Sequence, residues 1–206
     1  MLGVILGFGL IFVVLGLATL LEKKDILSDE GTRKFVHIGV ANWIIVVATL
    51  TENVWLALIA PVLFIIINAL SYRFDLIKAM EREDKSAADL GTVYYAISLA
   101  VITYLSFQFD LLNLGMYAIL VMGYGDGLSA VLGKAYGRIK LSKHKSLVGT
   151  VTVFTSAMIL GAIFITSPLL WIPLALLAAV IELYTPNGLD NLSLPLGLFL
   201  IGWLLL

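Results

Sequence analysis

Long uncharged stretches alternate along the chain with short charged ones, and their lengths are informative. Residues 1–21, 35–51, 53–72, 90–109 and 191–206 hold no Asp, Glu, Lys or Arg. Each approaches the roughly 20 apolar residues that one helix needs to cross a hydrocarbon core of about 30 Å. The run 146–181 is uncharged as well, but as one helix rising about 1.5 Å per residue it would overshoot that core. Thr166, Ser167 and Pro168 break it into two, because proline cannot continue a helix and restricts the residue before it. The segment 109–133 is apolar enough to cross despite Asp126 near its far end. The pattern therefore predicts eight spans, at about 2–21, 35–50, 53–71, 90–107, 111–132, 148–166, 169–184 and 192–206.

Composition agrees. Of 206 residues, 61% are hydrophobic and 13% charged, against about 25% charged in a soluble domain, which excludes a soluble globule. The expected fold is an all-α polytopic integral membrane protein forming one domain over 1–206. The first span has no preceding positive region and no small-residue cleavage pattern, so it reads as a retained helix. A net charge of -1 gives no reason to expect a nucleic-acid partner, and the absence of cysteine excludes disulfides, thiolate metal sites and a cysteine nucleophile.

The basic residues orient the spans. Lys23, Lys24, Arg33 and Lys34 fall between spans one and two, Arg73, Lys78, Arg82 and Lys85 between three and four, and Lys134, Arg138, Lys140, Lys143 and Lys145 between five and six. With alternating spans these loops share a side, and positive residues favour the cytoplasm. Both termini are then expected outside, with a prokaryotic cell membrane as the expected location. The stretch 72–90 reads as an amphipathic cytoplasmic helix.

Chemistry concentrates at the basic side. In GYGDGLSAVLGKAYGRIKLSKHKSLVGT, Gly123 to Thr150, the glycines Gly123, Gly125 and Gly127 bracket Asp126. Such a segment suits close backbone approach to a phosphate, with a carboxylate for Mg²⁺. A cationic loop follows, leading to Ser146, Gly149 and Thr150 at a helix start, where free N–H groups favour anions. Glycines also let helices pack closely, and intramembrane acids also pair with lysines. The residues alone leave both readings open. Arg33, Lys34 and His37 in RKFVHIG occupy neighbouring positions of one helix face. His37 there either serves a phosphate or a proton, or simply bonds a backbone carbonyl. Glu182 interrupts an apolar span, which is costly unless it is paired, ligates a cation or faces a wet cavity. Asp190 and Asn191 follow the turn at Pro186–Gly188 and serve either a ligand or the last helix as a cap. Asn42 and Asn68 read as polar bridges between helices.

RKFVHIG, GDGLSAVLGKAYG, KHKSLVGT and ELYTPNGLDNLSLP stand in one order along residues 30–200, and in that order the chain resembles the polyprenol kinase family. That family includes dolichol, phytol and CTP-dependent diacylglycerol kinases and is related to phosphatidate cytidylyltransferases. The resemblance implies a membrane enzyme with its active site at the cytoplasmic face, moving the γ-phosphate of CTP or ATP with Mg²⁺ onto a lipid alcohol. By motif position, Arg33, Lys34, Gly125, Gly127, Lys143, Lys145, Ser146, Gly149 and Thr150 match the nucleotide and phosphate positions. Asp126, Asp190 and Asn191 match the metal positions, and Asp126, His37 and Glu182 the catalytic ones. Val148 departs from the acidic residue the family commonly carries there, and the tail lacks a cytidylyltransferase ending, so a kinase is preferred to a CDP-lipid-forming enzyme. A small transporter is the other class; its sites would lie near the midplane between repeated halves, and the polar residues here cluster at one interface without a repeat.

Overall fold

A computed structural model describes residues 1–74, 90–142, 145–186 and 188–206. The expected amphipathic helix lies almost wholly outside these residues, as does Lys143. The helices are α1 (Leu2–Lys23), α2 (Asp29–Ala41), α3 (Trp43–Leu50), α4 (Val54–Phe74), α5 (Gly91–Gln108), α6 (Leu112–Leu120), α7 (Gly127–Tyr136), α8 (Leu147–Phe164), α9 (Trp171–Tyr184) and α10 (Asp190–Leu205). A π-helical stretch, Val121–Asp126, joins α6 to α7. Among the described residues, five units are long and apolar enough to cross a membrane: Leu2–Lys23, Asp29–Leu50, Val54–Phe74, Leu112–Tyr136 and Leu147–Phe164. Pro168–Tyr184 and Asp190–Leu205 are shorter apolar helices. The protein is an all-α, polytopic membrane protein.

The helix boundaries follow from local chemistry. The second unit starts earlier than the charge gap suggested because the Ser28 side chain accepts from Gly31 N at 3.3 Å and Asp29 and Glu30 occupy the first turn. A hydroxyl cap and acidic residues at that end both satisfy the exposed N–H groups and their dipole. The unit breaks at Asn42, whose amide donates back to Ile38 O and Gly39 O and whose Oδ1 accepts from Tyr124 OH at 3.0 Å. Pro168 opens a single 3₁₀ turn before α9, and Trp171 Nε1 donates across the break to Ile165 O at 2.8 Å.

The unit Leu112–Tyr136 is central: 78% of its apolar window is buried, against 22–28% in the other four. Lipid-facing positions of the outer helices carry Ile5, Phe12, Ile66 and Ile163, all exposed, as expected where hydrocarbon rather than water surrounds the protein. Contacts fix the two ends of the bundle. At one end Gly3 lies against Leu50 and Thr51, and Phe109 against Trp203 with ring centroids 4.3 Å apart. At the other, Lys145 meets Glu182 and Asp190, and the Asn191 amide donates to Gly91 O at 2.9 Å. The loops carrying Lys140 and Lys145, the link before α10 and the start of α5 therefore share one end. α1 and α4 run toward this basic end, and α2–α3 and α5 run away from it.

Candidate active site

The π-helical stretch ends on Asp126. One wide turn inside an otherwise α-helical unit re-aims its side chains, and such turns recur at functional positions. Here Asp126 Oδ2 accepts from Lys34 Nζ at 2.7 Å and lies 3.4 Å from His37 Nε2. His37 Nε2 is also 3.2 Å from Met122 O. Both neighbours of Nε2 are acceptors, so a neutral ring keeps its proton there and leaves Nδ1 basic. Tyr95 packs against the imidazole, ring centroids 4.7 Å apart, and donates to His37 O at 2.9 Å. α2 reaches this close to the π stretch because of two glycines. A Cβ at Gly123 would overlap Ala41, and one at Gly127 would overlap Ile38.

A second cluster lines the same cavity. Lys145 Nζ donates to Glu182 Oε1 at 2.7 Å and to Asp190 Oδ2 at 3.2 Å. Asp190 Oδ1 accepts from Gly188 N and Asn191 N at 2.9 and 3.1 Å. Gly188 takes φ 93° in this turn, a conformation that a side chain would disfavour. Burial lowers the Lys145 pKa, but Asp190, then Glu182, raises it by more, with a further contribution from Asp126, so the lysine sits above its ordinary value. The contribution from Asp126 shows that the two clusters feel each other's charge. Ser146 caps α8, its Oγ accepting from Gly149 N at 3.2 Å.

Both clusters line one cavity of about 600 Å³. Its polar end carries Arg33, Lys34, His37, Asp126, Lys145 and Glu182, with Ser146, Gly149, Asp190 and Asn191 beside them. Arg33 pairs with Glu30 at 3.3 Å. Gly125, Gly127 and Thr150 do not line the cavity: Gly125 packs near Val153, Gly127 serves the contact with α2, and the Thr150 hydroxyl is buried without a partner. Two features had no sequence signal: the Tyr95 contact to His37 and the bond from Ser98 Oγ to Asn191 O at 2.6 Å; the bridge expected at Asn68 is present, its Nδ2 donating to Thr92 O at 3.0 Å. A tyrosine or serine on an apolar span looks alike whether or not it borders a cavity.

The donor set suits a hard cation. Asn191 Oδ1 and Glu182 Oε2 are buried oxygens without hydrogen-bond partners. Among the described residues no group of three His, Asp or Glu stands ready to hold a metal. The two free oxygens are what the described residues offer a cation; an ion such as Mg²⁺ would take one or two carboxylates and complete its shell with water and phosphate.

No protein-family model matches the chain, and no solved structure does. Over 197 residues it is 30% identical to "Phytol kinase" of Synechocystis sp., spanning 90% of this chain and 84% of that protein. It is 28% identical to "Probable phytol kinase, chloroplastic" of Triticum aestivum, over 90% of this chain and 70% of the relative. The rice protein named "Probable phytol kinase 1, chloroplastic" is similar at 29% identity, with 90% and 67% covered. Taken with the membrane fold, the similarity to the cyanobacterial enzyme places the chain in the phytol kinase family, as a membrane-embedded kinase that phosphorylates a lipid alcohol.

Proposed function

We propose that the chain transfers the γ-phosphate of CTP or ATP to an isoprenoid alcohol such as phytol or a polyprenol, with diacylglycerol as the other acceptor class, at the cytoplasmic face of a membrane. The observation that carries the reading is the cavity, which joins an apolar arm to two lysine–carboxylate clusters. Phosphoryl transfer depends chiefly on positioning and charge neutralisation. Lys34 and Lys145 supply fixed positive charge, and a nucleotide draws them from their carboxylates onto its phosphates. Arg33, on the cavity wall, adds to the field, and Lys143 is assigned to the phosphates by motif position alone. Asp126, Asp190 and Asn191 would hold Mg²⁺, which when bound neutralises phosphate charge. Glu182 then offers its unpartnered oxygen to the same cluster. The alcohol lies with its chain in the apolar arm and its hydroxyl near His37, where Nδ1 accepts the hydroxyl proton. Tyr95 holds the imidazole by its ring contact and through the backbone.

The test is turnover by the purified protein in detergent with γ-labelled CTP or ATP, Mg²⁺, and phytol, farnesol, polyprenol or diacylglycerol in turn. Labelled lipid phosphate from one of these alcohols is the expected product. Label that enters lipid from the α-position instead, or no lipid product from any pair, would refute the reading.

The cytoplasmic placement has its own test, made simple by the absence of native cysteine. Lys140 and Glu52 are exposed at opposite ends of the bundle. In intact cells, Glu52→Cys is expected to react with an impermeant thiol reagent and Lys140→Cys to react only after permeabilisation. The opposite pattern would invert the protein and place the nucleotide site on the wrong side for a cytosolic donor.

A further inference from the structure

The polar-to-apolar order of the cavity wall repeats on four helical units, and it has a floor. Descending from the basic end, α2 and α3 present Lys34 and His37, then Val40 and Trp43. α1 presents Glu22 and Thr19, then Leu15 and Ile11. On α4 the order is Asn68, then Phe64 and Ala60, and on α5 it is Thr92 and Tyr95, then Leu99. Two of these units run toward the basic end and two run away, so the gradient belongs to the cavity and not to any one sequence pattern. The deepest residue on each is apolar and almost fully buried: Ile11, Trp43, Ala60 and Leu99 are 2–4% exposed. Below Trp43 the wall is closed, because its indole lies against Gly7 with no room for even a methyl group.

From this arrangement we infer that Trp43 is a specificity-determining residue: it closes the apolar arm and sets the length of the alcohol chain that can be accommodated while its hydroxyl reaches His37. The inference rests on the proposed lipid alcohol kinase reading and names the feature of the substrate that the same site measures. An alcohol is held at both ends, by the polar cluster at its hydroxyl and by the indole at its tail. A chain too long for the arm pushes its hydroxyl away from the reacting phosphate, and a chain too short leaves a void against the indole. Packed interiors tolerate neither misfit well. Apolar pockets discriminate single methylene differences by about tenfold or more, so the effect of one isoprenoid unit is large enough to measure. Ala60 faces the floor from α4 and offers the complementary change, since a larger side chain there shortens the arm.

The experiment is a length profile of kcat/KM for prenols of increasing length, geraniol through farnesol and geranylgeraniol to a longer polyprenol, with nucleotide saturating. Trp43→Ala is expected to move the preferred chain to a longer prenol, raising the long-to-short ratio by about tenfold. Ala60→Leu is expected to move it to a shorter one by a similar factor. The nucleotide KM should change less than the alcohol profile in both. Should Trp43→Ala not fold, Trp43→Phe, which keeps a ring in the core, and Ala60→Leu are read in its place. Folded, active variants whose profiles superimpose on that of the wild type overturn the inference, because the tail must then leave the bundle sideways and Trp43 is core packing only. That outcome leaves the kinase reading intact. A wild type that phosphorylates none of the prenols overturns the isoprenoid reading itself, and the length gauge with it.

Discussion

Asp126→Asn is expected to lower kcat by about 10²- to 10³-fold while the protein still folds, the range seen when one electrostatic element of a site is removed. The carboxylate stands between Lys34, 2.7 Å away, and His37, 3.4 Å away. It is the acid that links the motif around the π-helical stretch to the one on α2. An amide preserves the shape and still offers Lys34 an oxygen, so the stability loss should stay near the roughly 1–3 kcal/mol of a weakened buried hydrogen bond. Pairing it with Lys34→Met removes the orphaned cation as well. The double variant should regain thermal stability without regaining turnover, which separates chemistry from folding. If turnover of the single variant stays within a few-fold of wild type, Asp126 is a packing and pairing residue and the nucleotide binds elsewhere.

Lys145→Ala carries the other large effect. Loss of one ammonium that contacts phosphate should raise the nucleotide KM by the equivalent of about 1.5–3 kcal/mol, the worth of a hydrogen bond to a charged group. Lys23→Ala is the control, because Lys23 is exposed at the end of α1 on the same face and lies outside the cavity. The structure adds a consequence for folding. Lys145 is the shared counter-ion of Glu182 and Asp190, and Glu182 is 2% exposed. Removing the cation strands buried carboxylates, which costs about 3–5 kcal/mol when one partner of a buried pair is lost. A second change, Glu182→Gln, should restore part of the melting temperature and leave the nucleotide KM high. Equal, small effects on KM at Lys145 and Lys23 would mean that the lysine serves orientation and folding only.

The gaps between charges locate the spans because a membrane imposes one length on every crossing, and a charge within hydrocarbon is expensive enough to mark a boundary. The same cost made Asp126 and Glu182 legible as site residues. Each interrupts an apolar run, and each turns out to be buried with a lysine. Which lysine is not written locally. Lys34 lies 92 residues from Asp126, and Lys145 lies 37 from Glu182 and 45 from Asp190, so the pairing follows from how the helices pack. The break at Asn42, a residue legible only as a polar bridge, and the π-helical turn at Val121–Asp126 were also illegible; the Tyr124–Asn42 bond joins the two. For Gly123 and Gly127 the residues left two readings open, approach to a phosphate and close helix packing, and α2 packs against both. A sequence cannot say whether a glycine makes room for a ligand or for a helix.

The arm bounded by α1, α2–α3, α4 and α5 is expected to hold the lipid alcohol with its hydroxyl at the Asp126 and Lys145 clusters. Photolabelling of the purified protein with a prenol that carries a diazirine near its tail, followed by mapping of the modified peptides, tests it most directly. Adducts are expected on the lower wall, at Ile11, Trp43, Ala60 or Leu99, disappearing with excess phytol and persisting in the inactive Asp126→Asn variant. Adducts confined to lipid-facing positions such as Phe12, Ile66 and Ile163, and indifferent to phytol, would contradict it.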